Sequence, residues 1–166
     1  MAKAQKPNSY RRLALPAAAV VVLLAAIALM LVPQNEEAKK LSETEALAIP
    51  LSSVTETASF YPVVVDGTEI EVLVIRTAGG EVRTAFNTCQ SCYSSGRGYY
   101  VAEEKELVCQ NCGFRFTAEQ VGLEGHGGCN PWPIPASARV ETAESIVISH
   151  DTLAGAKEIF SRWGKQ

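Results

Sequence analysis

The 166 residues have room for about one folded domain. All 18 acidic residues lie beyond position 35, with only 11 of the 15 basic ones, so this part carries a formal charge of about −7. That balance excludes the basic footprint of a nucleic-acid-binding domain. There is also no Ser/His/Asp arrangement, phosphate-cradling loop or convincing carboxylate pair, which argues against a hydrolase or a kinase.

The first element is residues 13–32, a 20-residue run without a charge and long enough to cross a bilayer as a helix. Lys3, Lys6, Arg11 and Arg12 precede it, and Glu36 and Glu37 follow. The positive-inside rule then predicts a single-pass anchor in the cell membrane, with a cytoplasmic N-terminus and a periplasmic or extracellular C-terminal domain. A cleaved signal peptide is the rival, but its apolar core normally spans about 7 to 15 residues and ends at a small-x-small site, whereas this run ends in LMLVPQNEE. Arg11-Arg12 raises twin-arginine export as a further route, against which Ala14 stands where a large apolar residue is usual. Residues 33–46, PQNEEAKKLSETEA, lack sustained apolar periodicity and predict a tether. The expected division is therefore tail, anchor and tether over 1–46 and a Cys-rich extracytoplasmic domain over 47–166.

Strand signals begin at Ile49. Residues 60–65 form a short aromatic and β-branched run, DGT at 66–68 is a turn, and 70–75 is apolar on both faces over 72–75, so it should lie deep in a sheet. AGG at 78–80 and a strand over 82–86 complete an antiparallel meander. ELVCQNCGFRF, 106–116, has the outline of strand, knuckle, strand, with Gly113 free to take a positive φ. GGCNPWPIP, 127–135, is too rich in Gly and Pro to predict regular structure, and 138–140 with 145–148 predicts a last hairpin. Asp151 is the expected cap of a closing helix with Leu153, Ala156, Phe160 and Trp163 on one buried stripe. The fold class expected is mostly β.

Four of the five cysteines fall in two CxxC pairs, Cys89/Cys92 and Cys109/Cys112. Two intervening residues let one turn present both sulfurs to a single ion, and a second pair 16 residues on can complete a four-thiolate tetrahedron. Two disulfides are the alternative in an oxidising compartment. A bond within CxxC, however, closes a very small loop typical of redox-active thiols, and five cysteines cannot all pair. A four-thiolate site suits zinc, a single iron or an iron-sulfur cluster, with copper a further candidate. Covalent haem is excluded because Tyr93 and Gly113, not histidines, follow the pairs. Two cysteine knuckles at adjacent loop tips of a β-domain resemble the arrangement of Rieske domains, here with cysteine at all four positions. That ligation implies a lower reduction potential than two histidines would give. Cys129 is expected beside the metal loops, with a resolving thiol or a buried apolar residue as alternatives. His126, three residues earlier, is a weaker candidate ligand or tuning group, and His150 reads as structural. Tyr93, Tyr99, Tyr100, Phe114, Phe116 and Trp132 surround the cysteines in sequence as core packing beneath the loops and a dry shell.

Three blocks in order, FNTCQSCYSSGRGYY (86–100), LVCQNCGFRF (107–116) and GGCNPWPIP (127–135), resemble the C-terminal domain of the FtrD-like membrane iron-sulfur proteins over roughly 49–160. The resemblance implies an extracytoplasmic iron-sulfur or metal domain that shuttles electrons in support of iron uptake. It assigns Cys89, Cys92, Cys109 and Cys112 to ligand positions and Cys129 to the cysteine of the third block. Longer members carry a multi-span membrane domain where this chain has one predicted anchor, so a membrane redox or iron-transport partner protein is expected. Against this electron carrier stand two alternatives: a protein that captures or delivers a metal without redox chemistry, and a thiol-disulfide oxidoreductase.

Overall fold

The chain forms eleven strands in the computed structural model, which describes residues 38–123 and 128–165. In chain order they are β1 (Lys39–Lys40), β2 (Leu47–Pro50), β3 (Ser59–Val65), β4 (Thr68–Arg76), β5 (Val82–Cys89), β6 (Tyr100–Glu103), β7 (Glu106–Cys109), β8 (Arg115–Thr117), β9 (Pro131–Pro133), β10 (Val140–Glu141) and β11 (Ser145–Ile148). One short helix, α1 (His150–Ala154), follows them. The predicted anchor over 13–32 and His126 lie outside the described residues. No helix among the described residues is long and apolar enough to cross a membrane.

A five-stranded sheet in the order β1-β3-β4-β5-β9 forms the middle of the domain, and β3, β4 and β5 are the antiparallel meander that the turn signals predict. Six consecutive residues of β4 are buried, because the sheet is covered on both sides. Ile70, Val72 and Val74 enter one core with Ile49 of β2, Ile146 and Ile148 of β11, Leu153 and Phe160. Leu73 and Ile75 enter a second core with Ala85, Tyr100, Leu107, Cys89, Cys92 and Cys109. Burying each such aliphatic side chain is worth about 1.5–3 kcal/mol. Three of the cysteines are therefore packed into one of the two cores, under the three-stranded sheet β6-β7-β8.

Three local expectations are corrected. Residues 33–46 are not all tether: Lys39–Lys40 pair in parallel with β3 at the sheet edge, and Leu41 is buried behind them. Two residues are too few to show a periodicity. Second, GGCNPWPIP contains β9, which pairs with β5. Proline is tolerated on an edge strand, and the flanking amides supply the bonds: Gln90 N–H donates to the Asn130 carbonyl at 3.0 Å and Ile134 N–H to Thr84 at 3.2 Å. Third, the closing helix is capped by Ser149, whose hydroxyl accepts from Thr152 N–H at 3.2 Å, and it ends at Ala154. Gly155, costly inside a helix by about 1 kcal/mol, breaks the predicted stripe. A separate 3₁₀ turn, Lys157–Phe160, then brings Phe160 into the core beside Leu153 and Ala156, with Trp163 packed half-buried against it.

Candidate metal centre

Cys89 is the last residue of β5, the strand between β4 and the edge strand β9. Its N–H donates to the Gly98 carbonyl at 2.6 Å, folding the chain after the first knuckle back onto the strand end. Gly98 passes so close that an added Cβ would stand 2.5 Å from the Cys92 carbonyl group, so only glycine fits. The second knuckle follows β7. Cys109 N–H donates to Phe114 O at 3.0 Å, Gly113 N–H to Cys109 O at 2.8 Å, and Gly113 takes the predicted positive φ, +75°. The knuckles are joined through the backbone, since Tyr100 pairs with Cys109 across β6 and β7 and Gln110 N–H donates to Tyr99 O at 2.8 Å.

The sulfurs meet. Cys89, Cys92 and Cys109 place their Sγ atoms within 4.8 Å of one another, and Cys92, Cys112 and Cys129 do the same. All five are free thiols. The four knuckle sulfurs are thus divided between two triads that share Cys92, and the second triad is completed by Cys129. The Cys92 and Cys129 Sγ atoms are 3.8 Å apart. Two sulfurs on one tetrahedral ion with bonds of about 2.3 Å would also be about 3.8 Å apart.

Burial pushes the Cys109 thiol up to about 12, although the amides of Cys112 and Asn111 are directed at its sulfur and favour the thiolate. Cys92 is also raised by burial, opposed by a hydrogen bond from the Asn111 side chain, which reaches across from the other knuckle. At Cys112 burial is outweighed by the Phe114 amide and by the Cys129, Cys109 and Cys92 sulfurs, and the thiol falls below its ordinary value. Cys129 moves up through burial and then through the Cys112 and Cys92 sulfurs. Crowded thiols of this kind cannot all ionise alone, and a cation among them displaces their protons. A set of five sulfurs, with backbone amides favouring the thiolate at Cys109 and Cys112, fits iron, an iron-sulfur cluster, zinc or cuprous copper.

Of the support behind the sulfurs, Tyr100 is found as the sequence predicts, packed beneath the loops, whereas Asn87 was not legible. Tyr100 is fully buried, and its hydroxyl donates to the Cys129 carbonyl. Burial and then the Cys89 sulfur push that hydroxyl upward, so it remains a neutral donor. Asn87, buried in β5, grips the Tyr100 backbone at both ends: its Oδ1 accepts from Tyr100 N–H at 2.7 Å and its Nδ2 donates to Tyr100 O at 3.2 Å. Nδ2 also donates to Glu71, whose carboxylate is paired with Lys165 at 2.7 Å. No motif marks an asparagine two residues before a cysteine. Tyr93 packs edge-on against Trp132 and Tyr100 against Phe116, as a shell would, whereas Phe114 is 63% exposed rather than packed beneath the loop. His150 lies near Asp66 at 3.5 Å.

The family model described as membrane iron-sulfur containing protein FtrD-like matches residues 54–160, well over half of the chain. The chain belongs to the FtrD-like family. The matched span runs from Val54, ahead of β3, to Phe160 and contains all five cysteines of the FtrD-like domain. No curated protein and no solved structure matches the chain.

Proposed function

We propose that this FtrD-like protein is an outward-facing, membrane-anchored electron carrier with a Rieske-like cysteine site. It takes electrons from a membrane redox partner and passes them to an extracytoplasmic acceptor, iron being readied for transport. The observation that carries the reading is the convergence of two CxxC knuckles, from opposite layers of the domain, onto one group of reduced sulfurs. An iron or iron-sulfur centre, when bound, supplies one-electron chemistry. The chain's own residues do the rest. Cys89, Cys92, Cys109 and Cys112 provide thiolates, the amides of Asn111, Cys112 and Phe114 stabilise negative charge on Cys109 and Cys112, and the aromatic shell limits water. Cys112 and Phe114, both exposed, form the edge at which a partner makes contact.

Exposure of Cys112 also favours a second reading, the capture and handover of zinc, copper or iron without electron transfer. Full-length protein, purified in detergent without oxygen, separates the two by metal and acid-labile sulfide analysis with visible absorption. The electron carrier is coloured, contains iron and bleaches or shifts on reduction. A colourless zinc or cuprous protein supports the second reading. A metal-free protein with a bridged CxxC overturns both in favour of thiol-disulfide exchange.

A further inference from the structure

Five thiols are one too many for a tetrahedral ion. The fifth, Cys129, is not beside the knuckles by accident of packing, because the loop that carries it is held at three successive carbonyls. Gly128 O accepts from Ser91 Oγ at 2.6 Å, Cys129 O accepts from the Tyr100 hydroxyl, and Asn130 O accepts from Gln90 N–H at 3.0 Å. Two of these donors, Ser91 and Gln90, are the residues between the cysteines of the first knuckle. The knuckle therefore fixes the position of Cys129, and Cys129 reaches the Cys92 sulfur at 3.8 Å.

The two triads differ in surroundings. Cys89, Cys92 and Cys109 are all buried, whereas in the second triad Cys112 is exposed and Cys129 half-buried. Charge points the same way as geometry. One divalent cation among five thiolates leaves three negative charges uncompensated in a partly buried site, and two cations leave one.

We propose that the five thiols form a two-ion site for thiophilic cations. Cys89, Cys92 and Cys109 hold a buried inner ion, Cys92, Cys112 and Cys129 hold an outer, exchangeable ion, and the Cys92 sulfur bridges them. Each ion has three sulfurs, and the outer one keeps a fourth position open towards solvent or a partner's ligand, the feature that distinguishes reactive from closed thiolate sites. This inference deepens the metal-centre reading and rests on it only in requiring that the thiols bind metal.

Cadmium titration of the full-length, detergent-solubilised protein, metal-free and reduced, tests it through thiolate charge-transfer absorption and native mass. The expected saturation is two Cd(II) per chain in two steps at least tenfold apart in affinity. Cys129→Ala should saturate at one, the retained inner ion showing that the variant is folded. Saturation of the wild-type protein at one Cd(II), or of Cys129→Ala at two, overturns the proposal. A measurement on the wild-type protein alone gives a second test. With one Cd(II) bound, iodoacetamide should modify Cys112 and Cys129 while Cys89 and Cys109 are protected, and the second Cd(II) should protect all five. Equal protection of all five by the first ion overturns the two-ion site. A colourless zinc protein that takes two Cd(II) would remove the electron carrier and keep this inference, and a coloured, reducible centre with a single-ion stoichiometry would do the reverse.

Discussion

The two CxxC knuckles have the same spacing and opposite circumstances. Cys89 ends a strand flanked on both sides in the five-stranded sheet, Cys92 follows in the turn after it, and both are overlaid by the returning chain at Gly98 and by the Cys129 loop. Cys109 and Cys112 close a hairpin turn of the small sheet, and Cys112, at its tip, is exposed. Each knuckle thus contributes sulfur to the buried triad, but only the second presents one to solvent. An identical motif sets the local turn, and the layers around it decide whether the sulfur is locked in or available.

The largest break in this comparison comes from the buried sulfurs. Cys109→Ser is expected to abolish metal retention through purification, because only the ligands of the exchangeable outer ion stay intact, while Cys112→Ser keeps the inner ion. Metal content per chain after desalting checks both, and full retention in Cys109→Ser would remove that residue from the ligand set.

The two knuckle glycines give a sharper and smaller contrast. Gly98 has no space for a side chain, since its Cβ would meet backbone atoms of Cys92 and Tyr93 at 2.5–2.7 Å. Gly98→Ala must displace the first knuckle, at a cost of about 1–3 kcal/mol in the manner of overpacking, and metal affinity should fall with stability. Gly113 has open space around its Cβ but a φ of +75°. Gly113→Ala costs about 1 kcal/mol in backbone strain alone, and Gly113→Asn should recover part of it. Denaturant midpoints of the two alanine variants, at unchanged m-value, give the order Gly98→Ala below Gly113→Ala.

What could be read from the sequence was local, and what could not was distant. The CxxC spacing, the turn glycine Gly113 and the apolar run of β4 each express their conformation within a few residues, and each is found as expected. Cys129 lies beside the metal loops as expected, but its reach to Cys92 across 37 positions, like the hold of Asn87 on Tyr100 across 13, was not legible. Neither pairing leaves a periodic trace, because each depends on which layers stack. β9 escaped for a related reason: Pro131 and Pro133 argue against a strand until an edge position is available to receive them. The division of the knuckle sulfurs into two triads likewise needed the third loop, which spacing alone does not place.

The finest test of the comparison is the order in which the metal-free thiols react. The thiolate is the nucleophile, so labelling requires both access and ionisation. Cys112 is exposed and its thiol lies below the ordinary value, because the Phe114 amide and the Cys129, Cys109 and Cys92 sulfurs together outweigh the effect of burial. Cys109 is buried and pushed up to about 12. A depressed thiol gains reactivity as pH rises through a window below the usual thiol range, and a raised one gains it only above. Iodoacetamide rates followed by peptide mass from pH 6 to pH 10 should therefore show Cys112 labelling levelling off while Cys109 labelling is still climbing. Parallel profiles for the two would mean that the knuckles, despite their unequal burial, present their sulfurs to solvent alike, and the inner and outer distinction would lose its basis in the metal-free protein.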